Sequence, residues 1–249
     1  MDFGIRGRTA VVTGASRGLG LACARGLAAE GADLVLFSRG AQPLEEAAAA
    51  LRSDFGSKVE PVAGDMADAG DVAQLVEKAG TPDILVLNCG RPPLNLREVL
   101  EENDAERWEH AHRTQLQGGV NVLAALAPLM VARGKGRIVA ITSATVKQPM
   151  PHHGLSTIYR AGLAAYLKHL ANEVAASGVT VNSVCPASIG TTGFLGSFDA
   201  RERAKTVPMQ RLGTPDELAS AVVYLASEQA GFITGVNLQV DGGMTASLI

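Results

Sequence analysis

Eight residues near the amino terminus, Thr13-Gly14-Ala15-Ser16-Arg17-Gly18-Leu19-Gly20, set three glycines between an apolar β-branched run and an alanine-rich stretch. That spacing suits phosphate chemistry. Glycines let a backbone approach a pyrophosphate, and a following helix N-terminus offers it unpaired N–H groups and a positive dipole end. Gly14, Ser16, Arg17, Gly18, Leu19 and Gly20 are therefore the candidate contacts. About 20 residues beyond such a turn, a site that prefers NAD carries an acid to accept from the ribose 2′-hydroxyl. Here the chain reads Leu36-Phe37-Ser38-Arg39. Arg39 and Arg17 suit a 2′-phosphate, which binds guanidinium donors and is repelled by an acid. NADP(H) is expected ahead of NAD(H).

Such a turn needs a strand before it and a helix after it. Short apolar runs predict seven strands, at 9–13, 33–38, 59–63, 84–88, 136–142, 180–185 and 237–240. Between them, helical patterns predict helices at 19–30, 43–54, 69–79, 105–133, 157–176 and 215–226. This alternation predicts a single-domain, Rossmann-like α/β fold over residues 1–249, a doubly wound parallel sheet covered on both faces. The least regular stretch, 189–204, reads as a mobile loop over the ligand edge.

Composition narrows the partners. With 22 basic against 25 acidic residues and a net charge of −3, no broad basic surface for nucleic acid or anionic lipid is expected. A small-molecule carbonyl or hydroxy substrate fits better. Cys23, Cys89 and Cys185 lack the paired spacing of a metal site and read as buried, reduced thiols. The first eight residues lack the apolar core of a signal peptide, and no apolar run of about 18 residues escapes a charge, glycine or proline. A cytoplasmic protein without a membrane span is expected.

Further motifs appear in order: Gly64-Asp65, Asn88-Cys89-Gly90, Gly136-Arg137-Ile138-Val139 running into Ser143, residues 186–191, Arg211-Leu212-Gly213-Thr214-Pro215, Ile233-Thr234-Gly235 and Val240-Asp241-Gly242-Gly243. Together with the glycine turn they resemble the short-chain dehydrogenase/reductase family, in its 3-oxoacyl-carrier-protein-reductase-like branch. The resemblance covers nearly the whole chain. It implies an oxidoreductase, commonly a homotetramer, with Asp65 and Met66 at the adenine side of a cofactor and Asn88 and Gly90 near the adenosine ribose. Pro186, Ile189 and Thr191 would hold the nicotinamide end.

The same resemblance implies a catalytic serine, a tyrosine with a lysine one helical turn later, and an asparagine on the preceding long helix. Ser143 matches the serine. Thirteen residues on stands Ser156, four further stands Arg160, and Gln115 holds the asparagine position. Ala161-Gly162-Leu163 fixes this register, so three of four side chains are changed. Arg160 keeps a permanent charge and donors for the nicotinamide ribose. An aliphatic hydroxyl at Ser156 is too weak an acid to replace a phenol unaided. His153, Tyr159 and Lys147 are the candidate proton relays, each equally readable as a loop, packing or surface residue. The leading expectation is an NADP(H)-dependent reductase of a ketone or 3-oxoacyl group. A non-redox lyase and a cofactor-binding sensor or inactive homologue on the same fold remain open.

Overall fold

The computed structural model describes residues 2–91, 93, 95–196 and 199–248. Its sheet contains β1 (Thr9–Thr13), β2 (Asp33–Ser38), β3 (Val59–Ala63), β4 (Ile84–Asn88), β5 (Gly136–Ile141), β6 (Val179–Pro186) and β7 (Asn237–Val240). All seven strands are parallel, in the order β3-β2-β1-β4-β5-β6-β7. Because the order reverses between β1 and β4, their carboxyl ends flank the crevice where doubly wound sheets bind ligands. Strand alternation divides the core: Leu34 and Leu36 face one layer, Val35 and Phe37 the other. The first layer is covered by α1 (Gly18–Ala29), α2 (Ala41–Phe55) and, further along the chain, α9 (Pro215–Ala226). The second is covered by α3 (Ala69–Ala79), α5 (Gly118–Arg133) and α6 (Gly154–Val174). Fully buried side chains such as Leu27, Leu36, Leu75 and Leu123 each contribute about 1.5–3 kcal/mol through burial.

The helix read over 105–133 is present with those bounds and widens into a π turn (Arg113–Gln117) between α4 (Ala105–His112) and α5. Gly118 and Gly119 follow the turn and allow close packing, since a Cβ would meet Met66 Cβ at 2.8 Å or Cys89 Sγ at 3.1 Å. This stretch is long and apolar enough to cross a membrane, yet Val122, Leu123, Leu126 and Met130 are buried against the sheet. One expectation is corrected, since 189–204 is not irregular throughout: it contains α7 (Thr192–Leu195) and α8 (Ala200–Lys205), capped by Thr191 and Asp199. Ser197 and Phe198 lie outside the described residues.

Candidate functional site

The glycine turn is built against β4. Thr13 Oγ1 donates to Asn88 O at 3.2 Å and accepts from Asn88 N at 2.9 Å, while Asn88 Nδ2 donates to Gly14 O at 3.3 Å. A Cβ on Gly20 would lie 2.3 Å from Gly14 O and 2.9 Å from Asn88 Nδ2, so only glycine lets the helix start this close to the turn. Gly14 and Gly18 have φ of 58° and 60°, which side-chain-bearing residues rarely adopt. Helix α1 begins after Arg17 with no side-chain cap, so its first amides face the crevice uncapped. Ser16 is half-buried and Arg17 exposed beside them.

At the end of β2, Ser38 Oγ is buried with no hydrogen-bond partner among the described residues, and Arg39 next to it is exposed. Asp65 accepts from Ala67 N at 3.0 Å, and its own N–H is held by Asp71, which fixes the turn after β3. Met66 O accepts from Asn121 Nδ2 at 3.1 Å, tying the same turn to α5. Across the crevice, the segment after β6 is pinned by Gly190 N donating to Gly213 O at 2.9 Å, with Ile189 and Pro186 buried. A Cβ on Gly18 would lie 3.9 Å from Thr191 Cγ2, so the two walls approach there.

Ser143 lies two residues beyond β5, where it caps the short turn Ala144–Val146, and accepts from Thr145 N at 3.2 Å and Thr145 Oγ1 at 3.0 Å. Lys147 is half-buried just beyond the turn that follows. Arg160 on α6 is buried and turned inward: Nη1 donates to Ile141 O at 3.2 Å and Thr142 O at 2.8 Å, and Nη2 to Gly90 O at 3.0 Å. Its guanidinium thus ties the ends of β4 and β5 together directly beneath Ser143. Burial pulls its pKa below the ordinary guanidinium value. Gln115 is fully buried in the π turn, with neither amide atom bonded among the described residues.

The three relay candidates separate. Tyr159 stacks edge-on against Trp108, with ring centroids 6.1 Å apart, and lies 5.7 Å from His112, so it belongs to the α4 side. Burial, then the charge of Glu109, raises its phenol pKa and weakens it as an acid. His153, by contrast, shares a pocket with Ser156, Leu155, Pro93, Glu102 and Arg107. Its Nδ1 lies 2.7 Å from Pro151 O, a pure acceptor, so the bond puts a proton on Nδ1 and leaves Nε2 without this partner. The pocket's free volume is about 10 Å³, near one water site.

Sequence reasoning missed the charged pair in this pocket. Arg107 Nε and Nη2 donate to Glu102 at 2.8 and 2.7 Å, and Nη2 also reaches Asn95 O at 3.1 Å. The bond and charge of Arg107 hold the Glu102 carboxyl below its usual range despite burial. Five residues apart and across the Asp104 helix cap, the two share no helical spacing that could have signalled the pair. The orphaned Ser38 hydroxyl was equally silent, since its burial depends on how β2 meets its neighbours.

Fold and glycine junction together define a Rossmann-like α/β protein with a dinucleotide-type turn. Residues 14–245 match the family described as Enoyl-(Acyl carrier protein) reductase. The chain is 35% identical over 250 residues to the 3-oxoacyl-[acyl-carrier-protein] reductase FabG of Escherichia coli, covering 98% of this chain and 99% of that one. It is 36% identical over 245 residues to Nodulation protein G of Azospirillum brasilense, covering 95% and 98%. In structure it is similar to L-sorbose reductase from Gluconobacter frateurii, solved with NADPH and L-sorbose, with a TM-score of 0.93, 35% identity and full coverage of both chains. The protein belongs to the short-chain dehydrogenase/reductase family of oxidoreductases.

Proposed function

We propose that the protein is an NADP(H)-dependent reductase of a ketone or 3-oxoacyl group. The observation that carries this reading is the junction of Gly14, Gly20 and Asn88, a cradle that any Cβ at position 20 would fill. In it, Gly14, Ser16, Gly18, Leu19 and Gly20 would hold the pyrophosphate. Arg17 and Arg39, with the buried Ser38 hydroxyl, would hold the 2′-phosphate. Asp65 and Met66 would line the adenine, Asn88 and Gly90 the adenosine ribose, and Pro186, Ile189 and Thr191 the nicotinamide end. The NADPH bound by L-sorbose reductase supports this choice. The cofactor, when bound, supplies the hydride.

Ser143 orients the substrate oxygen. His153 passes a proton from Nε2 through the Ser156 hydroxyl, which lines the same pocket. Arg160 keeps the floor of the site rigid, and its two uncommitted N–H groups remain available to a ribose. Gln115 fills the position beside this floor. The apolar, exposed Phe232, Val236 and Leu238 around β7 support a homotetramer, which light scattering at micromolar concentration checks.

A second reading, a cofactor-binding protein without redox turnover, draws on one observation: Tyr159, the tyrosine nearest Ser156 along the chain, is packed away against Trp108. Anaerobic incubation with NADPH and a panel of ketones, following reduced-nicotinamide absorbance, decides between them. Turnover of any carbonyl supports the reductase. Tight NADPH binding with no turnover across the panel supports the second reading.

A further inference from the structure

Arg91 immediately follows Gly90 at the carboxyl edge of β4, and its side chain is exposed. It does not run off into solvent. Its Nη1 lies 2.8 Å from where a Cβ on Gly193 would stand, so the guanidinium rests against the α7 segment in space that only glycine leaves open. Gly193 does not have a positive φ, so backbone conformation does not demand a glycine at that position. Room for the arginine is the remaining local use of the missing side chain.

Two residues earlier in the same segment, Thr191 abuts Gly18 of the glycine turn. Residues 191 and 193 are at most about 7 Å apart along the chain. Segment 191–193 therefore spans from the β1 wall of the crevice, at Gly18, to the β4 wall, at Arg91. That crevice lies between β1 and β4, where the strand order reverses. Among the described residues, no carboxylate or carbonyl engages the Arg91 guanidinium. The arginines of this protein that serve structure look different: Arg107 is spent on Glu102, Arg137 on Ser227 O and Gly136 O, and Arg160 on three carbonyls.

We propose that Arg91 is a further cofactor-binding residue, clasping the pyrophosphate of the bound dinucleotide from the wall opposite the uncapped start of α1. The ligand chemistry follows from the placement: a diphosphate between a helix N-terminus and a planar guanidinium is contacted from both sides, with charge-assisted hydrogen bonds from each. Arg17 and Arg39 select the 2′-phosphate, whereas Arg91 acts on the part that NADPH and NADH share. The inference rests on the dinucleotide-binding reading above and adds a residue to it.

The test is fluorescence titration of Arg91→Gln with NADPH, NADH, ADP-ribose and 2′-AMP, after circular dichroism has verified the fold. Loss of a charge-assisted contact should raise the Kd of both dinucleotides about tenfold or more and leave their ratio unchanged. ADP-ribose, which keeps the diphosphate, should weaken alike, and 2′-AMP, which lacks it, should not. Arg91→Lys should fall between. Gly193→Ala, whose methyl displaces the guanidinium without touching a charge, should weaken both dinucleotides in the same direction. If the parent binds the dinucleotides and Arg91→Gln stays within twofold of it, the inference is overturned while the cofactor reading stands. It is overturned equally if only the KM of an anionic ketone moves, since Arg91 would then serve the substrate. If the parent binds no dinucleotide, both fall together.

Discussion

Replacing Gly20 with alanine tests the cradle at its tightest point. The new methyl would sit 2.3 Å from Gly14 O and 2.8 Å from Gly14 C, more than about 1 Å inside ordinary contact distance. Both atoms are backbone, so no side chain can rotate away, and the turn itself must shift. Overpacking of this kind costs about 1–3 kcal/mol, which for a chain of this size lowers Tm by roughly 2–12 °C. Displacing the turn also breaks charge-assisted bonds from its amides, each worth about 1.5–3 kcal/mol, so NADPH affinity should drop about 10- to 100-fold. Gly26→Ala on the same helix is the control, because its methyl meets only Val223 Cγ2, at 3.1 Å, and Ala219 Cβ, at 3.6 Å, both side-chain atoms on α9 far from the crevice. Thermal melts and fluorescence titration read both effects. A Gly20→Ala protein that binds NADPH within threefold of its parent would refute the assignment of this junction to the cofactor.

Arg39→Asp should remove or reverse a preference for NADPH over NADH, measured as the ratio of their Kd values; equal affinities in the parent would count against a 2′-phosphate site. Ser156→Tyr combined with Arg160→Lys should raise carbonyl reduction by up to the roughly 10²–10⁴-fold typical of a positioned general acid, and each single change should do less. His153→Ala should depress kcat and leave NADPH affinity nearly unchanged if Nε2 supplies the proton. The Glu102 carboxyl is held low by Arg107, so its stabilising share is present above the unfolded value near 4.5 and disappears as pH falls through the lower folded value. Glu102→Gln should therefore flatten the acid limb of a Tm-against-pH curve. Burial pushes the Cys23 and Cys89 thiols up to about 12 and about 11, and a disulfide-exchange reagent at about pH 8 should reach them only after denaturation.

The sheet was legible because parallel strands buried on both faces leave continuous β-branched runs. Strands 9–13, 33–38, 59–63, 84–88 and 237–240 have the expected bounds, β5 ends one residue early, and β6 is one residue longer at each end. Helix α6 starts at Gly154, three residues before the expected start, at a position where a Cβ would meet Val99 Cγ2 at 2.5 Å. Helix 105–133 has the expected bounds, and only its internal π turn escaped, because such a turn has no strong sequence mark beyond the Gly118-Gly119 pair after it. The same division runs through the site. The glycine turn is local chemistry and could be read from eight residues. The pocket of Ser156, His153, Glu102 and Arg107 joins the starts of α4 and α6, about fifty residues apart, which periodicity cannot bring together.

The reciprocal bonds between Thr13 and Asn88 also bear on how the protein comes into being. The glycine turn is complete early in synthesis, but the residue that seats it arrives about 75 positions later, on a strand that skips past β2 and β3 to pair with β1. Long-range parallel pairings of this kind form slowly. A nascent chain that stops before β4 therefore carries the turn without its seat and has no reason to hold a dinucleotide. Once the seat is made, any ligand of the crevice favours the docked sheet by mass action. Supply of that ligand then becomes a determinant of how long the folded protein survives heat and proteolysis.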